Sequence, residues 1–151
     1  LLQFTSLIPV YTCSTILAMM FYGWAIDRYG TSKLLSLYQI PMALSFFLFG
    51  ISDSLFMAGI AFALFGITHG ANSTIPGAFW AENFGTKNLG SIKAMATAVS
   101  VFGSALGPAL SGILIDYEIP FSKQMPFISV FVIICCFLNW IAVNKIKRIY
   151  D

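Results

Sequence analysis

An all-α, polytopic membrane helix bundle is the fold class that this sequence predicts, and three observations carry the prediction. The 151 residues are 58% apolar and only 9% charged, with a mean hydropathy of +0.85, whereas soluble domains average about 25% charged residues. The few charges cluster, leaving five uncharged windows at 1–26, 34–52, 54–81, 94–115 and 124–144, each of nineteen residues or more. Roughly twenty residues cross the hydrocarbon as a helix, so each window is long enough to span. Third, seven of the eight basic residues fall on alternate connections: Arg28 and Lys33, then Lys87 and Lys93, then Lys145, Lys147 and Arg148. Lys123 alone lies on the other side, with Asp53, Asp116 and Glu118. The positive-inside bias therefore predicts an integral, multi-pass protein with the N-terminus of this chain outside and its C-terminus cytoplasmic. The whole of 1–151 is expected to form one transmembrane domain.

These same features exclude several classes. Apolar windows recur to the end of the chain, so a signal peptide ahead of a soluble body does not explain them. Cys13, Cys135 and Cys136 all lie within windows, as small buried residues rather than a disulfide framework. With a single histidine there is no Cys/His cluster for a metal, and no cofactor is expected. No nucleophile–base pair or phosphate loop points to an enzyme. Topology accounts for the net charge of +2, so no nucleic-acid partner is implied.

The first span, 7–26, carries Thr12, Ser14 and Thr15, hydroxyls that can bond back to their own carbonyls without any functional role. It runs into Gly23-Trp-Ala-Ile-Asp27-Arg28-Tyr-Gly30-Thr-Ser-Lys33. Gly23 is placed to let two backbones approach, and Gly30 to take the positive φ of a tight turn. Asp27 is expected to accept hydrogen bonds from the free N–H groups of a neighbouring helix start. Arg28 and Lys33 hold the loop at the cytoplasmic face. An ordinary positive-inside loop would also contain such basic residues. The full G-x-x-x-D-R-x-G-x-x-K spacing, however, resembles the signature of the major facilitator superfamily, the large group of secondary transporters. There it lies between the second and third helices and again between the eighth and ninth.

The second span, 34–51, is mostly large and apolar, with Phe46-Phe47-Leu48-Phe49 facing lipid and Pro41 marking a kink. Ser52-Asp53-Ser54 then makes a tight antiparallel connection to the third span, 55–79. Gly59, Gly66, Gly70, Ser73 and Gly77 form one narrow helical stripe, suited to close packing or sliding. Beside it His69 and Asn72 are neighbours three apart, and with Thr68, Ser73 and Thr74 they form a polar cluster at membrane depth. Such groups face a bundle interior or a wet cavity. His69 has three readings: a neutral imidazole satisfied by a nearby hydroxyl or carbonyl, a cavity-lining group that does not titrate, or a proton-coupling group. Pro76 is expected to break the helix.

The fourth span, 90–115, starts near Gly90 and Ser91. Lys93, Thr97, Ser100, Ser104, Gly107 and Ser111 follow one another at four- and three-residue steps, a polar, small-residue lane along most of the span. It serves either as a packing seam or as part of a substrate path. Lys93 itself reads as an anchor at the headgroups or as part of that path. Gly103, Gly107 and Pro108 make this helix bendable and closely packable. The fifth span, 126–143, is rich in Ile, Val and Phe and reads as peripheral scaffold.

A second resemblance covers Phe79 to Asp116. The run Ala81-Glu82-x-Phe84-Gly85-Thr86-Lys87-x-Leu89-Gly90-Ser91-Ile92-Lys93, followed by Gly103, Gly107-Pro108, Gly112 and Asp116, is similar to the tenth-to-eleventh-helix region of the monocarboxylate-porter-like branch, which includes oxalate–formate-type antiporters. The resemblance implies helices eight to twelve of a C-terminal half. A small solute, an organic anion in that branch, would then move by alternating access as two bundles rock against each other. Spans one, three and four would line the path, with His69, Asn72, Thr97, Ser100 and Ser104 along it, and Gly66, Gly70, Gly103, Gly107 and Pro108 serving packing and hinging. Gly23, Asp27, Arg28, Gly30 and Lys33 would form the gating loop, with Asp27 bracing the closed state against the other bundle. The partners implied are the lipid bilayer, the solute and the missing N-terminal helical bundle. Carboxylate carriers of this branch often place an Arg or Lys deep within the eighth or eleventh helix, and here no formal charge lies inside any window. The alternative is a truncated remnant or membrane scaffold that transports nothing.

Overall fold

A computed structural model describes residues 6–150, and their side chains through Ile146. The described residues form helices and short connections: α1 (Ile8–Tyr29), α2 (Thr31–Leu37), α3 (Ile40–Ile51), α4 (Leu55–Phe84), α5 (Leu89–Asp116) and α6 (Phe121–Tyr150). Taking α2 and α3 as one broken span, five helical segments are long and apolar enough to cross a membrane. This is the all-α bundle that the uncharged windows predict.

Helices outrun the windows because a charge near the headgroups interrupts apolarity without interrupting backbone hydrogen bonding. Pro9 sits in the first turn of α1, where its missing N–H costs nothing. The helix continues through Asp27 and Arg28 to Gly30, whose φ of 78° turns the chain at once into α2. The second span breaks at Tyr38 and Gln39, with Pro41 in the first turn of α3. Proline removes one helical donor and disfavours helical geometry in the residue before it. The backbone around the break is nonetheless satisfied: Tyr38 N–H donates to Leu34 O (3.0 Å) and Ala43 N–H to Gln39 O (3.2 Å). Three residues connect α3 to α4, and Ser54 Oγ caps α4 by accepting from Met57 N (3.2 Å). The expected break at Pro76 does not occur. Ile75 and Phe79, buried on either side of the proline, hold α4 as one helix to Phe84. α5 likewise runs unbroken through Gly107 and Pro108.

The helices form a row, in which α4 packs along α1 and α3, and α3 also packs along α6. Small residues set the closest crossing. A Cβ at Gly66 would lie 2.5 Å from Tyr11 O, and one at Gly70 would lie 2.5 Å from Thr15 O and 2.8 Å from Ala18 Cβ. Gly59, on the same stripe, would meet only Leu7 Cδ2 at an ordinary 3.6 Å. Buried hydroxyls fasten the other crossings: Ser45 Oγ donates to Ala61 O (2.7 Å) and Ser129 Oγ to Ala43 O (2.7 Å). Phe46 and Phe49 do not face lipid alone, since their rings meet Phe65 and Phe62 of α4 edge-on at 5.9 and 5.2 Å. Phe47 remains outward and exposed. α5 stands apart, with no buried residue. Its contacts lie near its ends, where Lys93 reaches Gly77 and Gln124 Nε2 donates to Ser111 O (3.4 Å).

The two glycines at the crossing give a prediction. Gly70→Ala should destabilise the protein by about 1–3 kcal/mol, because a backbone carbonyl cannot move aside as a flexible side chain would. Gly59→Ala should be neutral or slightly stabilising. Thermal unfolding of both variants in detergent checks this, and equal midpoints would refute the assigned crossing.

Candidate functional site

At the loop end of α1, the signature residues separate into those with partners and those without. Arg28 lies in the last turn of α1, where a cation suits the helix dipole, with its guanidinium 5.5 Å from the Trp24 ring centroid and 5.9 Å from that of Tyr29. Lys33 is exposed. Asp27 does not take the role expected of it. It is exposed and has no hydrogen-bond or ion-pair partner among the described residues. The helix continues past it to Tyr29, which leaves its carboxylate in a last turn rather than at a helix start. Gly23 also makes no close approach: a Cβ there would meet nothing within 4 Å. It lies well round α1 from Thr15, Ala18 and Ala25, which form the buried face. The carboxylate that does tie the loop down is Glu82, near the end of α4. It accepts from the hydroxyl of the buried Thr31 at 2.5 Å, joining the start of the second span to the end of the third. Glu82 stands in the second resemblance motif, yet nothing in the sequence paired it with Thr31.

His69 and Asn72 lie on one wall of a cavity of about 220 Å³, with Phe65 and Thr68 beside them and Tyr38, Gln39 and Met42 opposite. The His69 ring is exposed and stacks obliquely against Tyr11, centroids 5.7 Å apart. Its imidazole has no hydrogen bond among the described residues, so no hydroxyl or carbonyl satisfies it here. The second span therefore supplies half of this polar cavity and is not scaffold alone, because its break turns Tyr38 and Gln39 toward α4. Tyr38 Oη–H donates to Asn72 Oδ1 (3.2 Å), Gln39 Nε2 to Tyr38 Oη (3.4 Å), and Asn139 Nδ2, from α6, to Gln39 Oε1 (3.2 Å). Tyr38, Gln39 and Asn139 were missed in the sequence. The available signal was an amide inside an apolar window, which needs a partner at membrane depth.

The other hydroxyls of the third span turn back on their own helix: Thr68 to Leu64 O (3.4 Å), Ser73 to His69 O (3.0 Å) and Thr74 to Gly70 O (2.8 Å). Thr97, Ser100 and Ser104 are exposed on α5 and do not line the cavity that holds His69 and Asn72. Ser100 and Ser104 donate to Ala96 O (2.9 Å) and Val101 O (2.7 Å). Gly103 and Gly107 face open space, and Pro108 is exposed inside the helix. A larger cleft of about 660 Å³ between α5 and α6 has almost wholly apolar walls, among them Leu110, Leu114, Phe127 and Phe131. Apolar walls alone do not orient a polar solute, so the smaller cavity is the better candidate. Among the described residues no group of three His, Cys, Asp or Glu side chains is placed to hold a metal.

Five membrane-length helical segments, four of them packed through glycines and hydroxyls, with a small cavity between the break in the second span and α4, define a polytopic membrane protein. The sequence matches the family model of the Major Facilitator Superfamily over residues 1–147, and the chain belongs to that family. Members of this family are secondary transporters rather than enzymes. No curated protein and no solved structure matches the chain.

A double-mutant cycle tests the tie between the second and third spans. Thr31→Val should cost about 1 kcal/mol of stability, Glu82→Gln somewhat less, and the double variant little more than the first alone. Additive losses in unfolding experiments would show that the two side chains act independently.

Proposed function

We propose that the chain forms helices eight to twelve of a secondary active transporter that moves a small solute by alternating access, with an organic anion as the substrate class. The observation that carries the reading is the state of α5. This helix of membrane length buries none of its residues, yet carries Thr97, Ser100, Ser104 and Ser111 along one side. Ser100 and Ser104 satisfy their hydroxyl protons on their own helix, but a whole lane of small polar residues along a membrane helix is better placed against protein or water than against lipid. A second bundle facing α5, with a wet path between the two, supplies both. His69 and Asn72 belong to the same reading as polar groups open to a cavity. Asp27, exposed and unpartnered among the described residues, is free to brace that second bundle in one state of the cycle. The concentration of basic residues at the Gly30 loop and the C-terminus supports a cytoplasmic setting for both. The branch of monocarboxylate and oxalate–formate carriers is supported by the Ala81–Lys93 run and by the glycines and proline of α5.

The path has an address on α5 that can be probed directly. In a cysteine-free background of the full-length transporter, Ser104→Cys should react with a membrane-impermeant thiol reagent, while Phe102→Cys, on the opposite side of the helix, should not. Equal labelling, or none at Ser104, would remove the path from this face. In reconstituted vesicles, Asn72→Ala should lower the apparent affinity for a transported anion about tenfold, the worth of one hydrogen bond, and Ser54→Ala should leave uptake unchanged. Vesicles that take up no solute would favour the non-transporting scaffold instead.

A further inference from the structure

The hydrogen bonds beside the small cavity all run one way. Asn139 donates to Gln39, Gln39 donates to the Tyr38 oxygen, and Tyr38 gives its single hydroxyl proton to Asn72 Oδ1. A phenol has one proton to give, so once Asn72 takes it the Tyr38 oxygen is left as an acceptor, which Gln39 Nε2 fills. The Gln39 carbonyl is fixed in turn by Asn139. This relay crosses from α6, through the break between α2 and α3, to α4, and it ends on one atom of one amide. Asn72 Oδ1 is occupied, while Asn72 Nδ2 has no hydrogen bond among the described residues and belongs to a side chain lining the cavity. The proton of the Thr68 hydroxyl is already committed to Leu64 O. His69 lines the same cavity, and an imidazole carries two ring nitrogens that can serve as donor or acceptor, so it sets no preference alone.

We infer that the relay Asn139–Gln39–Tyr38 orients the Asn72 amide so that the cavity presents an N–H donor, and that the cavity recognises a hydrogen-bond-accepting oxygen, carbonyl or carboxylate, on a small solute. Asn72 is the contacting residue, and Tyr38, Gln39 and Asn139 are positioning residues. Met42 and Phe65 supply apolar walls for the rest of a small solute. Without Tyr38 the amide could turn over and offer its oxygen, so the preference belongs to the relay and not to asparagine as such. The inference rests on the transporter reading for its biological meaning, but it concerns binding and can be measured apart from transport.

The experiment is heat stabilisation of the purified full-length protein by three probes of similar size at millimolar concentration. Pyruvate carries a carboxylate and a ketone, butane-2,3-dione carries neutral carbonyls and no donor, and propylammonium carries donors only. Wild type should be stabilised by pyruvate and butane-2,3-dione and not by propylammonium. Stabilisation by pyruvate alone would assign the oxygen to a carboxylate, and by both to a carbonyl as well. Asn72→Leu, which keeps a similar size and charge and can neither donate nor accept, should weaken binding of the acceptor probes about tenfold. Tyr38→Phe, which keeps the ring and loses only the hydroxyl, should bring the acceptor and donor probes toward equal binding. Asn139→Ala should shift the ratio the same way by less. The inference is overturned if neither acceptor probe stabilises wild type, or if the ratio of acceptor to donor binding is unchanged in Tyr38→Phe. Vesicle uptake of pyruvate is scored separately. A protein that binds with the expected preference but moves nothing keeps the relay and loses the transport assignment, and one that transports with an unchanged ratio does the reverse.

Discussion

Two carbonyl oxygens and two missing side chains determine how this bundle is arranged. Tyr11 O and Thr15 O of α1 lie where Gly66 and Gly70 of α4 would carry a Cβ. In hydrocarbon, apolar side chains gain little by preferring each other to lipid, so close backbone approach and dispersion contacts must hold helices together. Ala18, Ala61, Ala71 and Ile75 are all buried, which shows how small most of the side chains in this core are. With α1 and α4 fixed in this way, the face of α4 carrying Phe65, Thr68, His69 and Asn72 is presented toward the second span. The cavity exists because that crossing fixes one of its walls.

The opposite wall depends on a helix that stops and restarts. Polar backbone groups at a break in a membrane span must find partners, and here the turn at Tyr38 and Gln39 keeps its hydrogen bonds to Leu34 and from Ala43. Side chains of α6 then lock the two pieces from behind. Ser129 Oγ donates to Ala43 O just after the break, and Cys136 Sγ to Ser36 O (3.0 Å) just before it. The fifth span is thus more than packing material, since it holds both halves of a broken helix and contributes the first donor of the relay.

Much of the architecture was legible because membrane spans are announced by composition. Five windows free of charge can hardly be anything but helices once backbone groups must be satisfied within the segment. Helix ends were less legible, since Asp27, Arg28 and Glu82 end an apolar window while their backbones remain helical. The positive φ of Gly30 could be read from its place after a basic turn, but the openness around Gly23 could not, because spacing does not reveal which face of a helix finds a partner. The glycine stripe of α4 was visible as a stripe. That Gly66 and Gly70 lie against a backbone while Gly59 does not is a property of the crossing alone. His69 and Asn72 stood out as adjacent polar residues at membrane depth. Tyr38, Gln39 and Asn139 did not, being single polar residues on two spans that read as apolar scaffold, and Gln39 lies one hundred positions from Asn139.

The isolation of α5 bears on how such a protein assembles. Residues of α1, α3, α4 and α6 bury one another, so their docking is driven by contacts within these described residues. α5 is held near its start by Lys93 against Gly77 and toward its end by Ser111, whose carbonyl accepts from Gln124 of α6, and by little between them. A rod pinned only at its tips keeps its freedom to roll about its own axis until another surface engages its length. Among the described residues, its rotational setting, and so the direction in which its hydroxyls point, is therefore fixed by far fewer contacts than that of any of its neighbours in the row.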